Sequence, residues 1–165
     1  MIAEAIRDTV SSEIWNSYYK FAVVRNPWDR MVSVFWFRLA QRKGPTTHAA
    51  RILTQLGMPV TRIMFHEMVR RRNAKPVRHD YVNMIMDASS EIPLVDDVLR
   101  YEDLNNEIER VRKKLGLPVI KIPRLKGQYR KDRRPYTEYY NRITKERVAE
   151  ADRAIIKNYG YAFGS

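Results

Sequence analysis

Between residues 18 and 39 the hydrophobic pattern changes period. The stretch YYKFAVV (18–24) is aromatic and β-branched without clean alternation, which predicts a short strand buried on both faces. Trp28, Met31, Val32, Phe35 and Leu39 then recur at offsets 0, 3, 4, 7 and 11, one wide apolar stripe of a helix. Arg25-Asn26-Pro27 joins the two. Asn26 suits the N-cap, and Pro27 suits the first helical position, where a missing N–H is no loss. Gly44 and Pro45 are expected to stop this helix.

The same reading extends outward. Residues 2–17 are expected to be helical in two pieces, broken near Ser11-Ser12, with Ser12 capping the second. Residues 46–72 predict two helices around LGMP, the second ending in the basic run Arg70–Arg72, where cations suit a helix C-terminus. Residues 73–93 are weakly patterned and read as loop. The segment PLVDDVLRYEDL (93–104) reads as extended, running into a helix capped by Asp103 with Leu104, Ile108, Val111 and Leu115 inward and Gly116 at its end. A basic, Pro-containing loop follows at 118–135. Thr144 is expected to cap a last helix with Val148, Ala151, Ile155 and Tyr159 inward, stopped by Gly160. With no repeats and no low-complexity linker, this predicts one α/β domain over 1–165, with few strands and many helices.

Charge narrows the partner. Thirty-one Lys and Arg against nineteen Asp and Glu give a net +12, which predicts either an anionic partner or a solvated basic surface. Cysteine is absent, so disulfides, Cys-ligated zinc and thiol catalysis are excluded. No apolar run is long enough to span a bilayer and no signal-peptide pattern follows Met1, so a cytoplasmic location is expected. His48, His66 and His79 are scattered without metal-ligand spacing, and no metal is expected. Glu67 beside His66 reads as helix surface.

Two places carry candidate chemistry. A strand that turns tightly into a helix is where an open α/β sheet binds anions, through free N–H groups and the positive end of the helix dipole. Arg25 stands at that point with a guanidinium fork suited to phosphate oxygens. Ser33 lies about two turns on, its side chain leaning back toward the same crevice. The alternative is that Arg25 pairs with Asp29 and Ser33 merely packs. The second place is KIPRLKGQYRKDRRPY (121–136); residues 121–134 hold seven basic residues and one acidic, half of the chain's excess charge. Lys126-Gly127 would let a backbone N–H approach a phosphate closely. Tyr129, Tyr136, Tyr139 and Tyr140 either stack on a base or pack the loop onto the last helix.

FAVVRNPWDRMVSVFWF (21–37) closely resembles the 3′-phosphate-binding segment of sulfotransferases that use 3′-phosphoadenosine 5′-phosphosulfate (PAPS), especially the carbohydrate-type branch. EIWNSYYK (13–20) resembles the family's approach to that strand, and VLRYEDLNNEIERVRKKLGLP (98–118) its Arg-aromatic-Glu element and following helix. RRPYTEYYN with VAEADRAIIKNYGYAF resembles its C-terminal signature. The resemblance implies a P-loop-like sulfotransferase fold, N-terminally shortened, with few short parallel strands. It implies that Arg25 and Ser33 bind the 3′-phosphate of PAPS or of its product PAP, 3′-phosphoadenosine 5′-phosphate. It also places Lys126 and Gly127 in the cofactor-closing loop, where the local sequence departs from the family's His-x-Asn pattern. Arg100 and Glu102 are expected to form a buried ion pair anchoring a strand end.

Family members begin with a strand and a loop of the type His-x-Pro-Lys-x-Gly-Gly-Thr-Ser that cradles the 5′-phosphosulfate. The sequence contains no such stretch, its first glycine being Gly44, and the catalytic residue stays unassigned. Sulfuryl transfer needs in-line positioning and charge neutralisation at the leaving oxygen. Three expectations follow. The chain is a sulfotransferase, acting on a hydroxyl, by family default of a carbohydrate, once the missing loop is supplied. Or it is an inert binding or assembly module, with a protein partner covering an exposed sheet edge. Or it binds nucleic acid, with steep salt dependence.

Overall fold

A computed structural model of the chain describes residues 3–41, 60–73, 85, 93–119, 122–123, 129–130 and 133–165. Its elements are α1 (Ala3–Thr9), α2 (Ser12–Ser17), β1 (Phe21–Val24), α3 (Pro27–Ala40), α4 (Val60–Asn73), β2 (Asp97–Arg100), α5 (Leu104–Lys114), α6 (Arg142–Ala151) and α7 (Arg153–Tyr159). Single 3-10 turns at Tyr101–Asp103 and Tyr136–Tyr139 lead into α5 and toward α6. β1 and β2 pair in parallel, Phe21 beside Asp97 through Val24 beside Arg100. Parallel strands need a long crossover, and α3 and α4 lie within this one. The result is an α/β fold, helix-rich around a short parallel pair.

The core sits where α3 meets the strand ends, α4 and α6. Val24, Val32, Phe65, Val69 and Leu99 are fully buried, joined by Trp28, Met31, Phe35, Trp36, Val148 and Ile155. The predicted α3 stripe is therefore the buried face, with Leu39 at its edge. Phe65 meets the rings of Phe35, Tyr139 and Tyr140 edge-to-face at 4.9–5.6 Å, the arrangement that aromatic quadrupoles favour. Gly116 and Gly160 end α5 and α7 as expected, each in the left-handed conformation that glycine adopts without strain.

Several local expectations are corrected. The strand begins at Phe21 rather than Tyr18, because Lys20 spends its amide on the Asp96 carboxylate (2.7 Å) while its carbonyl accepts from Asp96 and Asp97. It is also buried at one end only: Val24 is sealed, whereas Phe21 is 45 % exposed. Ser11, not Ser12, caps α2, accepting from the Ile14 amide. Asp103 stands at the start of α5 but provides no cap; its carboxylate accepts instead from the Asn106 side chain. Leu115, expected inward, is 40 % exposed, and Val111 is the buried residue of α5. The last helix is two: Asn141 caps α6 in a reciprocal box with Thr144, and the chain breaks at Asp152, a buried carboxylate paired with Arg30 at 3.2 Å. The stop at Gly44-Pro45, the first helix of 46–72 and nearly all of the 73–93 loop lie outside the described residues.

Candidate functional site: the carboxyl end of the parallel pair

The register fixes what meets at this end. Val24 lies beside Arg100, so the next residues out, Arg25 and Tyr101, leave the two strands side by side. The chain turns at Asn26 and enters α3 at Pro27. Asn26 is 2 % exposed and fully used. Its Oδ1 accepts from the amides of Trp28 (3.1 Å) and Asp29 (3.3 Å), and its Nδ2 donates to the Tyr136 hydroxyl and the Ala162 carbonyl. Its own amide donates to Glu102 Oε1 at 2.6 Å. The expected free amides at this helix start are therefore taken, since an N-cap side chain has already satisfied them. Positive charge at the corner comes from the Arg25 side chain instead.

Arg25 gives Nε (2.8 Å) and Nη2 to one oxygen of Asp29, the pairing set out above as the alternative to phosphate. Its guanidinium also lies over the Tyr101 ring, 4.3 Å from the centroid. The other Asp29 oxygen accepts from Arg130 Nη1 at 3.1 Å, so the basic loop reaches the corner through a shared carboxylate. Asp29, Ser33 and Phe37 follow one another at four-residue spacing on one face of α3, about 6 Å apart along the axis. Tyr129 packs on Phe37 (5.3 Å between ring centroids), so the loop touches this face at both ends while Ser33 lies between. Ser33 is half-buried, and among the described residues its hydroxyl has no hydrogen-bond partner.

Of the predicted site residues, Arg25 is bonded to Asp29, one turn before Ser33 on the same face of α3, and Lys126 and Gly127 lie outside the described residues. The four tyrosines pack, but onto α3 and the C-terminal segment rather than onto the last helix as expected. Tyr139 accepts from Trp36 Nε1 (3.0 Å), Tyr140 donates to the Trp28 carbonyl (2.9 Å), and Tyr136 accepts from the Gly164 amide (2.6 Å). Arg100 and Glu102 do not form the expected pair. Arg100 donates to the Tyr159 carbonyl, where α7 ends, while Glu102 accepts from Asn26 and from the Tyr161 hydroxyl (2.9 Å). Both still fasten the strand end to the returning C-terminal segment, and Glu102 also holds the Asn26 turn. His66 is bound on both ring nitrogens, to the Tyr139 carbonyl and the Asn141 side chain, so it is a packing residue rather than a surface one. Among the described residues no cluster of metal-ligating side chains gathers.

Sequence reasoning missed Tyr101 and Arg130. Tyr101 stood in the sequence as the aromatic of the Arg-aromatic-Glu element, with nothing to tie it to Arg25, and Arg130 was one of seven basic residues in its loop with nothing to single it out. The chain's residues 3–160 match the sequence model of the sulfotransferase family. Comparison with curated proteins and with solved structures gave no match. No described helix is long and apolar enough to cross a membrane.

Proposed function

The chain belongs to the sulfotransferase family, and from that premise we propose that residues 1–165 are one domain that binds the 3′-phosphate of PAPS, or of PAP, at Arg25 and Ser33. The observation that carries this reading is the state of Arg25. Its side edge is held by Asp29, and among the described residues its terminal Nη1–Nη2 edge has no partner. That edge is the bidentate donor pair that suits a phosphate monoester. Ser33 offers a hydroxyl with no partner among the described residues further along the same helix face, and Arg130 adds a second cation at the corner through Asp29. The residues present therefore fit a phosphate group. When bound, PAPS supplies the activated sulfuryl group; this chain's part is to anchor the nucleotide's far end so that the transferable group is held in place. The acceptor on this reading is a hydroxyl, of a carbohydrate in the branch the sequence resembles. Lys126 and Gly127 complete the proposal as the loop residues that close over the nucleotide.

Calorimetric titration of PAP into the protein tests it. Binding that falls by about a hundredfold in Arg25→Ala, the loss of two charge-assisted hydrogen bonds, is the expected result. Unchanged binding in that variant overturns the assignment of the corner. Absence of binding in the unaltered protein favours an inert module instead.

A further inference from the structure

Arg25 is more constrained than its ion pair requires. Its side edge is gripped by Asp29 and one face is covered by the Tyr101 ring, 4.3 Å from the guanidinium carbon. Its side chain is 19 % exposed. An arginine loses much rotamer freedom when it engages an anion, and a guanidinium already stacked and clamped loses less. The constraint has a direction. Asp29 takes Nε and Nη2 through a single oxygen, which ties down the side edge and leaves the Nη1–Nη2 edge outside that contact.

On this site reading, we infer that Tyr101 is a positioning residue for the 3′-phosphate: its ring is the platform that holds the Arg25 guanidinium, with Asp29, in the orientation that presents the Nη1–Nη2 edge. Tyr101 acts through Arg25 and does not touch the ligand's phosphate. Three observations carry this. Arg25 and Tyr101 are the residues that follow the last pair of the register, Val24 and Arg100, and they meet at 4.3 Å. Tyr101 is 47 % exposed, so core burial does not account for an aromatic here. Its backbone begins the 3-10 turn Tyr101–Asp103, whose next residue, Glu102, is bonded to Asn26 and Tyr161, so the platform is fixed from below.

A double-mutant cycle on PAP affinity tests it, using Tyr101→Ala, Arg25→Lys and the pair, with thermal melting of each. A planar guanidinium stacks on an aromatic face far better than an ammonium does, so the role assigned to Tyr101 should exist only with arginine at position 25. Tyr101→Ala is expected to weaken PAP binding about 5–10-fold beside the native arginine and less than about 2-fold in the Arg25→Lys background. Tyr101→Phe, which keeps the ring, should bind as the unaltered protein does. Equal losses in both backgrounds would mean that Tyr101 contacts the nucleotide independently, and no loss in either would mean that it only fills space; each overturns the inference while leaving the site itself standing. Should Tyr101→Ala fail to fold, Tyr101→Leu keeps apolar bulk without a π face and is read the same way. No PAP binding by the unaltered protein overturns the functional reading and this inference together.

Discussion

At the amino end of the β1–β2 pair, Lys20 closes on Asp96 at 3.0 Å, and Tyr19 donates to Asp97 while accepting from Lys114. Arg110 there spends both edges of its guanidinium, the terminal edge on Asp97 (2.6 and 3.1 Å) and the side edge on Glu107 (3.0 and 2.8 Å). At the carboxyl end, among the described residues, Arg25 spends only its side edge, on Asp29, and lies over the Tyr101 ring. One cluster is saturated and the other holds an unspent bidentate donor. An arginine whose two edges already face carboxylates has nothing left to offer a ligand, however exposed it is; Arg110 is half exposed and chemically closed. Basic charge alone therefore does not mark a site. The count of unspent donors does.

The largest effect that would break this contrast is on affinity. Arg25→Ala is expected to weaken PAP binding about a hundredfold, roughly 2.7 kcal/mol, whereas Arg110→Ala should leave it unchanged and shift only the unfolding midpoint. Calorimetry and denaturation on both variants decide it. If Arg110→Ala weakens PAP binding as much as Arg25→Ala does, the two ends are not functionally distinct.

Next in size is the knot beneath the corner. Asn26→Ala removes the N-cap of α3 and deprives the Tyr136 hydroxyl and the Ala162 carbonyl of a donor, in a residue that is 2 % exposed. A loss of about 2 kcal/mol in stability is expected from the cap and its buried bonds together. It is measured as a shift of the denaturant midpoint at unchanged slope. A variant as stable as the original would show that the corner's rigidity does not depend on this side chain.

How much of this was legible in the sequence follows from which forces are local. The α3 stripe, the Asn26-Pro27 entry and the glycine stops at 116 and 160 were readable because period, capping and φ preference act within a few residues. Arg25 and Ser33 came from the same local grammar and from the family resemblance. The break at Asp152 was not readable, because it answers to Arg30 across 122 positions of sequence. Nor was the fate of Arg100 and Glu102, adjacent in pattern yet drawn to Tyr159 and Tyr161 by the return of the C-terminal segment. The helix amides expected to be free were closed by Asn26 itself, so the same residue that announced the turn removed part of its proposed chemistry. Local propensity finds such a corner, but only tertiary contacts show which of its donors remain.

A smaller effect sharpens the site end. Ser33 lies on the face between the Arg130 and Tyr129 contacts of the loop, with no hydrogen-bond partner among the described residues. Ser33→Ala should weaken PAP binding about 10-fold, the worth of one hydrogen bond to a charged oxygen at the low end of its range. Stability should hardly change, since no bond within the described residues is lost. Unchanged affinity in this variant would confine the site to Arg25 and the loop.

The smallest effect belongs to the amino end and is a matter of pH. Hydrogen bonds from Arg110, helped by Tyr19 and opposed by burial, hold the Asp97 carboxyl below its ordinary value of 3.8. The Lys20 amide and then its ammonium hold Asp96 below that value too. A carboxyl whose folded-state pKa is depressed binds its proton more readily in the unfolded chain. Its contribution to stability is therefore complete above 3.8 and is lost progressively as pH falls below that value. Unfolding midpoints at about pH 6 and about pH 2.5 should accordingly differ less in Asp97→Asn than in the unaltered protein, the two proteins converging on the acid side, with Asp96 supplying the remaining slope. PAP affinity in Asp97→Asn should be unchanged at about pH 6, because the carboxylate serves the strand entry and not the corner. Equal acid sensitivity in the two proteins would mean that the Asp97–Arg110 contact carries no proton-linked stability, leaving Asp96 and Lys20 as the lock at this end of the sheet.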